Sequence, residues 1–214
     1  MKKKSQICIC VAICSLAAFA VWTLLVRFVD VRAIGPCGSN VGFAALNGYV
    51  HDLIGLNMPL YVITDWLGLV PIATALGFAI LGMVQWIKRK NIWKVDHSIL
   101  ALGVFYVVVI AVYLLFEFVE VNYRPVLIDG YLEVSYPSST TMLVICVMPT
   151  AAMQASSRIK SRVFRRCVLF AIIAFVAFMI VGRLLSGVHW ITDIIGGALI
   201  SVGLGMMYKA FGRF

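Results

Sequence analysis

Long apolar runs alternate with short polar or basic segments along this chain of 214 residues. Each run is close to the roughly 20 residues that an α-helix needs to cross a bilayer. Hydrophobic residues make up 63% of the chain and charged residues 13%, which excludes a soluble globular domain. The pattern predicts six membrane-spanning helices, at residues 7–29, 60–87, 98–118, 138–156, 167–185 and 190–210. We therefore expect an all-α, polytopic membrane helix bundle that forms a single domain over residues 1–214.

Basic residues concentrate near the two termini and in two of the segments between the predicted spans. They are Lys2, Lys3, Lys4, Lys88, Arg89, Lys90, Lys94, Arg158, Lys160, Arg162, Arg165, Arg166, Lys209 and Arg213. Because an excess of Lys and Arg is typical of cytoplasmic loops, we expect both termini in the cytoplasm of a plasma-membrane protein. The net charge of +9 then reflects topology and contact with anionic lipid headgroups, and no nucleic-acid partner is expected.

The same topology assigns residues 30–59, 119–137 and 186–189 to the outer face of the membrane. Within the first of these segments, residues 43–57 mix apolar and polar positions, as an amphipathic segment at the interface would. The first apolar run follows three lysines like a signal peptide, but it is too long for one and predicts a retained membrane anchor. The cysteines show no disulfide or metal-ligand spacing.

Three ionisable residues lie where the last two apolar runs meet. Arg183 ends one run, His189 follows after five intervening residues, and Asp193 comes one helical turn after His189. A carboxylate at that spacing can hold an imidazole in one tautomer, and an arginine nearby can bind phosphate with two parallel hydrogen bonds. The arrangement is typical of a histidine nucleophile that attacks phosphorus.

Two further blocks lie on the same outer side. Arg124-Pro125 falls in a polar loop, and Pro137-Ser138-Ser139-Thr140 opens the fourth predicted span. The serines fit an ordinary helix cap, and a capped N-terminus also presents free backbone N–H groups that suit a phosphate. The two interpretations are compatible.

The three blocks together resemble the signature of the type-2 phosphatidic acid phosphatase superfamily, which includes the vanadium haloperoxidases. That signature is Lys, six residues and Arg-Pro; then Pro-Ser-Gly-His; then Arg, five residues, His, three residues and Asp. The third block matches from Arg183 to Asp193, while Glu117 stands where the Lys belongs and Ser139-Thr140 replace Gly-His. The blocks keep the order of the family and span roughly residues 60–210.

The resemblance implies a lipid phosphatase without metal or cofactor. His189 would form a phosphohistidine and Asp193 would orient it. Arg124, Arg183, the Ser138 and Ser139 N–H groups and the Ser139 or Thr140 hydroxyl would stabilise the transferred phosphoryl group. Family members that handle polyprenyl pyrophosphate recycle a cell-wall lipid carrier, and such a lipid is the substrate that we favour over a glycerol lipid phosphate.

The departures from the signature leave two other functions open. Glu117 and Thr140 are compatible with a lipid-phosphate binding or transport protein that has lost its chemistry, and a phosphotransferase would pass the phosphoryl group to an acceptor other than water. Glu117 is predicted to pair with Arg124 or Arg183 in an empty site. Asp65 is either a functional partner inside the membrane or a shallow acid that reaches water.

Two remaining histidines are predicted to be surface residues. His51 lies in an outer segment and His97 on the inner side.

Overall fold

The computed structural model describes residues 2–211, and they form eight α-helices. These are α1 (Lys2–Phe28), α2 (Ala44–Ile54), α3 (Met58–Leu67), α4 (Leu69–Arg89), α5 (His97–Phe118), α6 (Ser139–Arg158), α7 (Arg162–Leu185) and α8 (Ile191–Phe211). Single 3₁₀ turns occur at Pro36–Gly38 and Ile92–Lys94. The described residues contain no β-strand beyond isolated bridges, so the prediction of an all-helical polytopic bundle is confirmed.

The second predicted span is broken into α3 and α4 at Gly68. A proline has no N–H, and its ring clashes with the carbonyl four residues earlier, so Pro71 cannot continue a helix through Leu67. Gly68 instead caps α3 by donating to the carbonyls of Thr64 and Asp65, and Pro71 falls in the first turn of α4, where it is tolerated. Helix α3 packs against α7.

Helix α6 lies at the centre of the bundle and packs against α4, α5, α7 and α8. Its buried residues include polar ones, among them Thr141, Thr150 and Gln154. Five other helical segments are long and apolar enough to cross a membrane, namely Lys4–Phe28, Met58–Arg89, His97–Phe118, Arg162–Leu185 and Ile191–Phe211. Helix α6 can be more polar than these because neighbouring helices cover it.

The five candidate spans turn most of their side chains outward. Only 11% to 39% of the residues in their most apolar windows are buried inside the protein. Large apolar side chains such as Ile80, Val104 and Phe170 are exposed along these helices, which a soluble protein would not tolerate on this scale. The exposed surface fits contact with lipid, and the chain is a multi-pass membrane protein.

The three segments that the sequence assigns to one side meet at one end of the bundle. The Gly42 N–H donates to Asn122, the Asn57 N–H donates to the carbonyl of Ser186, and the Trp190 indole donates to the carbonyl of Tyr123. The opposite end carries a separate ionic cluster in which Arg89 and Arg158 pair with Asp96 at 2.9 and 3.3 Å.

Candidate active site

His189 lies in the short connection between α7 and α8 and is only 3% exposed. Its Nε2 atom is 3.2 Å from Nη1 of Arg124 and 3.4 Å from Nη2 of Arg183. Guanidinium nitrogens can only donate, so Nε2 is the acceptor and the ring proton is on Nδ1. Burial, and then the charges of Arg124 and Arg183, lower the pKa of His189 well below its ordinary value, so the ring is neutral at pH 7 with a lone pair on Nε2.

Asp193 in the first turn of α8 faces the other side of this ring. Its Oδ2 atom is 3.6 Å from Nδ1 of His189 and accepts a hydrogen bond of 3.0 Å from the Trp190 N–H. Asp193 is completely buried, and its backbone carbonyl accepts from the Ser138 N–H. The carboxylate is therefore fixed at both its side chain and its backbone, on the side of the ring that carries the proton.

Arg183 reaches the ring from the last turn of α7 and is 1% exposed. Three residues of α3 hold its guanidinium. Nη1 is 3.5 Å from both the Thr64 hydroxyl and the Asp65 carboxylate, and the guanidinium carbon lies 5.0 Å from the centre of the Tyr61 ring. The buried Nε–H has no hydrogen-bond partner. The Nε–Nη2 edge, the fork that binds oxyanions in pairs, therefore keeps a free donor next to His189.

Arg124 lies in a hairpin-like loop between α5 and α6, directly opposite Glu133. The Arg124 N–H donates to the Glu133 carbonyl at 2.9 Å, and the Arg124 Nε atom is 2.9 Å from the Glu133 carboxylate. This side-chain contact is an ion pair whose geometry is not that of an aligned hydrogen bond, because the Nε–H has no hydrogen-bond partner. Sequence reasoning missed Glu133, since no helical or motif spacing connects it to Arg124.

A buried polar network holds Thr192, which lies between His189 and Asp193 in the chain. The Asn47 amide donates to Thr192 at 3.0 Å and accepts from the Thr192 N–H at 3.4 Å. The Asn122 amide donates to the Thr192 hydroxyl at 3.5 Å, and all three side chains are at most 1% exposed. Helix α2 is thereby tied to the start of α8, next to Asp193.

His51, predicted to be a surface residue, is half-buried and packs against Trp190. Its ring lies 5.5 Å from that of Trp190, and its Nε2 atom is buried. His97, in contrast, is exposed as expected.

A cavity of about 370 Å³ opens in front of His189. Predicted site residues Arg124, Ser139 and Glu117 line it together with Glu133 and aromatic residues of α5. A larger apolar groove of about 1090 Å³ between α4, α5 and α6 shares Tyr113, Ser139 and Met142 with this cavity. The site therefore combines a polar pocket, lined by Arg124, two glutamates and His189, with an adjoining apolar groove.

The predicted residues at the start of α6 separate into three positions. The Ser138 side chain is fully buried and caps α6 by accepting from the Thr141 N–H at 3.4 Å. Ser139 faces both the cavity and the groove, whereas Thr140 lines the groove and is not among the residues lining the cavity. Of the serine and threonine side chains proposed to contact phosphate, Ser139 is the one that lines the cavity in front of His189.

Glu117 lines the cavity but makes no ion pair with any residue that the structure describes. The expectation that it pairs with Arg124 or Arg183 is therefore wrong. Glu133 and Asp65 are the partners of those arginines, and Asp65 accordingly acts as a partner although its side chain is 58% exposed.

Comparisons with known proteins identify a family and a similar fold. A family model described as "PAP2 superfamily" matches residues 96–213. The fold is similar to a crystal structure described as the first transmembrane PAP2-type phosphatidylglycerolphosphate phosphatase from Bacillus subtilis, with a TM-score of 0.54. The two chains are 20% identical, and the alignment covers 94% of each. A search of curated proteins found no match.

Proposed function

On the premise that the chain belongs to the PAP2 superfamily and is a membrane lipid phosphatase, we propose that it removes phosphate from a polyprenyl pyrophosphate through a phosphohistidine. The observation that carries the mechanism is the position of His189. Its Nε2 atom faces two guanidinium groups and its Nδ1 atom faces a buried carboxylate. A neutral imidazole held in this way is an activated nucleophile at the bottom of an anion-binding pocket.

In the first step, Nε2 of His189 attacks phosphorus and the bond to the leaving group breaks. The imidazole becomes positively charged as the N–P bond forms, and the buried Asp193 carboxylate on the opposite side stabilises that charge. Arg124 and Arg183 bind the oxygens of the transferring phosphoryl group, because their guanidinium groups already converge within 3.4 Å of Nε2. In the second step, water attacks phosphorus and releases phosphate.

The apolar groove supports a long isoprenoid tail. Its lining on α4 runs from Leu69 to Trp86. Eighteen residues of α-helix extend about 27 Å at about 1.5 Å per residue. That length approaches the full hydrocarbon thickness of about 30 Å, whereas the tail of an ordinary phospholipid needs only one leaflet. A glycerol lipid phosphate is the competing substrate, since the similar Bacillus subtilis protein is described as a phosphatidylglycerolphosphate phosphatase.

The chemistry of the leaving group supports a pyrophosphate over a monophosphate. Thr140 stands where the family has a histidine, and a neutral hydroxyl is a poor acid at pH 7. A monophosphate must expel an alkoxide, whose parent alcohol resembles water with a pKa of about 15.7. A pyrophosphate expels a phosphate monoester, whose second pKa is about 6 and which needs little protonation. We therefore expect much faster cleavage of the pyrophosphate.

The membrane topology that we propose has six spans, with α6 as the fourth, and both termini in the cytoplasm. The end of the bundle that carries Arg89, Lys94 and Arg158 then faces the cytoplasm, because basic residues are retained there. His189 lies near the opposite end, so the active site faces the outside of the plasma membrane. This placement suits an enzyme of the cell envelope that recovers a carrier lipid such as undecaprenyl pyrophosphate.

A lipid-phosphate binding protein is the second candidate, favoured by Glu117 at the position of the family lysine. Purified protein in detergent, supplied with matched polyprenyl and glycerol lipid phosphates and assayed for free phosphate, separates the two functions. Phosphate release that is lost in His189→Ala supports the enzyme. Binding without release in the wild type overturns it, and transfer to an added alcohol at the expense of free phosphate identifies a phosphotransferase.

A further inference from the structure

The leaving oxygen of a lipid monophosphate requires a proton. Thr140, which stands at the position of the family histidine, does not face the cavity in which the reaction would occur. Thr140 lines the apolar groove and is not among the residues lining the cavity in front of His189. A proton donor for an alkoxide typically contributes about 10²- to 10⁴-fold in rate. Any turnover of a monophosphate therefore depends on another acid in the cavity.

The direction of attack indicates where that acid must be. In an in-line displacement, the leaving oxygen lies on the side of phosphorus opposite to the attacking nitrogen. His189 is 3% exposed and attacks from the deep end, so the leaving oxygen points toward the mouth of the cavity. Glu133 lines the same cavity, and its side chain is 43% exposed, as expected for a residue at the mouth.

We propose that Glu133 is the proton donor to the leaving group, a role that rests on the proposed phosphohistidine mechanism. Its carboxylate is 2.9 Å from Nε of Arg124, whose Nη1 is 3.2 Å from the attacking atom of His189. The Arg124 guanidinium thus contacts both the Glu133 carboxylate and the nucleophile His189. A phosphate bound by Arg124 would therefore lie next to the Glu133 carboxyl group.

The proton balance closes over the two steps. As Nε2 of His189 bonds to phosphorus and the P–O bond breaks, the Glu133 carboxyl group gives its proton to the leaving oxygen and becomes a carboxylate. The carboxylate then takes a proton from the attacking water while the N–P bond breaks. Phosphate leaves, His189 is neutral again, and Glu133 is protonated for the next cycle.

The other proton-bearing side chains that line the described cavity are less suitable. Ser139 is an alcohol, and a tyrosine such as Tyr113 ordinarily titrates near 10. Glu117 lines the cavity from α5, but it makes no ion pair with a described residue that would hold it near the phosphate. Glu133 is held twice, by its side-chain ion pair and by its backbone hydrogen bond with Arg124.

The test is the dependence of kcat/KM on the leaving group in Glu133→Gln, because a proton donor matters most for a basic leaving group. We expect a loss of about 100-fold or more with a polyprenyl monophosphate and less than about 10-fold with the pyrophosphate of the same tail. Glu117→Gln is the matched control within the cavity and should affect both substrates alike. Thermal unfolding of each variant checks that the fold is retained.

Three results would overturn the role. An equal loss on both substrates in Glu133→Gln would mean that Glu133 only positions Arg124. Selective loss in Glu117→Gln would transfer the role to that residue. If the wild type released no phosphate from any substrate, the proposed function would be refuted as well. If phosphate release required His189 but Glu133→Gln did not selectively reduce monophosphate turnover, this inference alone would be refuted.

Discussion

Replacing Arg183 by lysine should remove most of the activity while retaining the fold. In the empty site, Nη1 of the guanidinium is used by Thr64 and Asp65, Nη2 faces His189, and the buried Nε–H has no partner. Phosphate can therefore accept two hydrogen bonds from the Nε–Nη2 edge without disturbing the contacts to α3. A lysine ammonium is a single point donor and cannot reproduce both sets of contacts.

The size of the effect follows from the loss of one charged hydrogen bond to the transferring phosphoryl group. Such a bond contributes about 1.5–3 kcal/mol. Because about 1.36 kcal/mol corresponds to a tenfold change in rate, kcat/KM should fall roughly 10- to 150-fold. If the lost donor acts mainly in the transition state, as in an oxyanion hole, most of the loss appears in kcat.

The assay is release of free phosphate from a polyprenyl pyrophosphate by purified protein in detergent. Arg158→Lys is the matched control, because Arg158 also pairs with an aspartate, Asp96 at 3.3 Å, but at the opposite end of the bundle. Its kcat/KM should be unchanged. Kinetics close to wild type in Arg183→Lys would refute the assignment and leave Arg183 as a structural link between α7 and α3.

Other measurements probe the remaining parts of the site and the topology. His189→Ala should abolish phosphate release in a folded protein, and phosphohistidine trapped on the wild type but not on this variant would agree; normal turnover by the variant would exclude His189 as the nucleophile. Burial and the two arginines lower the pKa of His189, so its ring stays neutral as the pH falls through about 6.5, the ordinary pKa of histidine. The loss of kcat/KM at acid pH that is due to protonation of His189 should therefore occur below about pH 6.5. A loss centred at or above about pH 6.5 would contradict the lowered pKa. Thr140→His should raise monophosphate turnover and narrow the gap to the pyrophosphate, provided that the new ring reaches from the groove wall to the cavity; equal turnover of both lipids by the wild type would show that the gap does not exist. Lys160→Cys, in a protein without its native cysteines, should resist an impermeant thiol reagent in intact cells, and labelling from outside would reverse the proposed topology.

The hydropathy pattern predicted the helices well because lipid exposure selects for long apolar runs. It did not predict the break at Gly68, although Pro71 is a local signal for it, since the run stays apolar across the break. The spacing from Arg183 to Asp193 predicted the contacts among Arg183, His189 and Asp193, because these residues lie close together in the chain, at the end of α7, in the following connection and at the start of α8. Glu133, Asn47 and the α3 residues that hold Arg183 come from distant parts of the chain, and only the packing of the bundle brings them to the site.

The buried link between Asn47 and Thr192 has a consequence for any attempt to isolate a minimal enzyme. The family match begins at residue 96, yet the start of α8 is held by Asn47 of α2, and α1 packs along α8 with the Trp22 indole donating to the carbonyl of Thr192. A fragment confined to the matched residues would lose the Asn47 and Trp22 hydrogen bonds to Thr192 and the α3 contacts of Arg183. The residues that match the family model are thus fewer than the residues that are needed to assemble the active site.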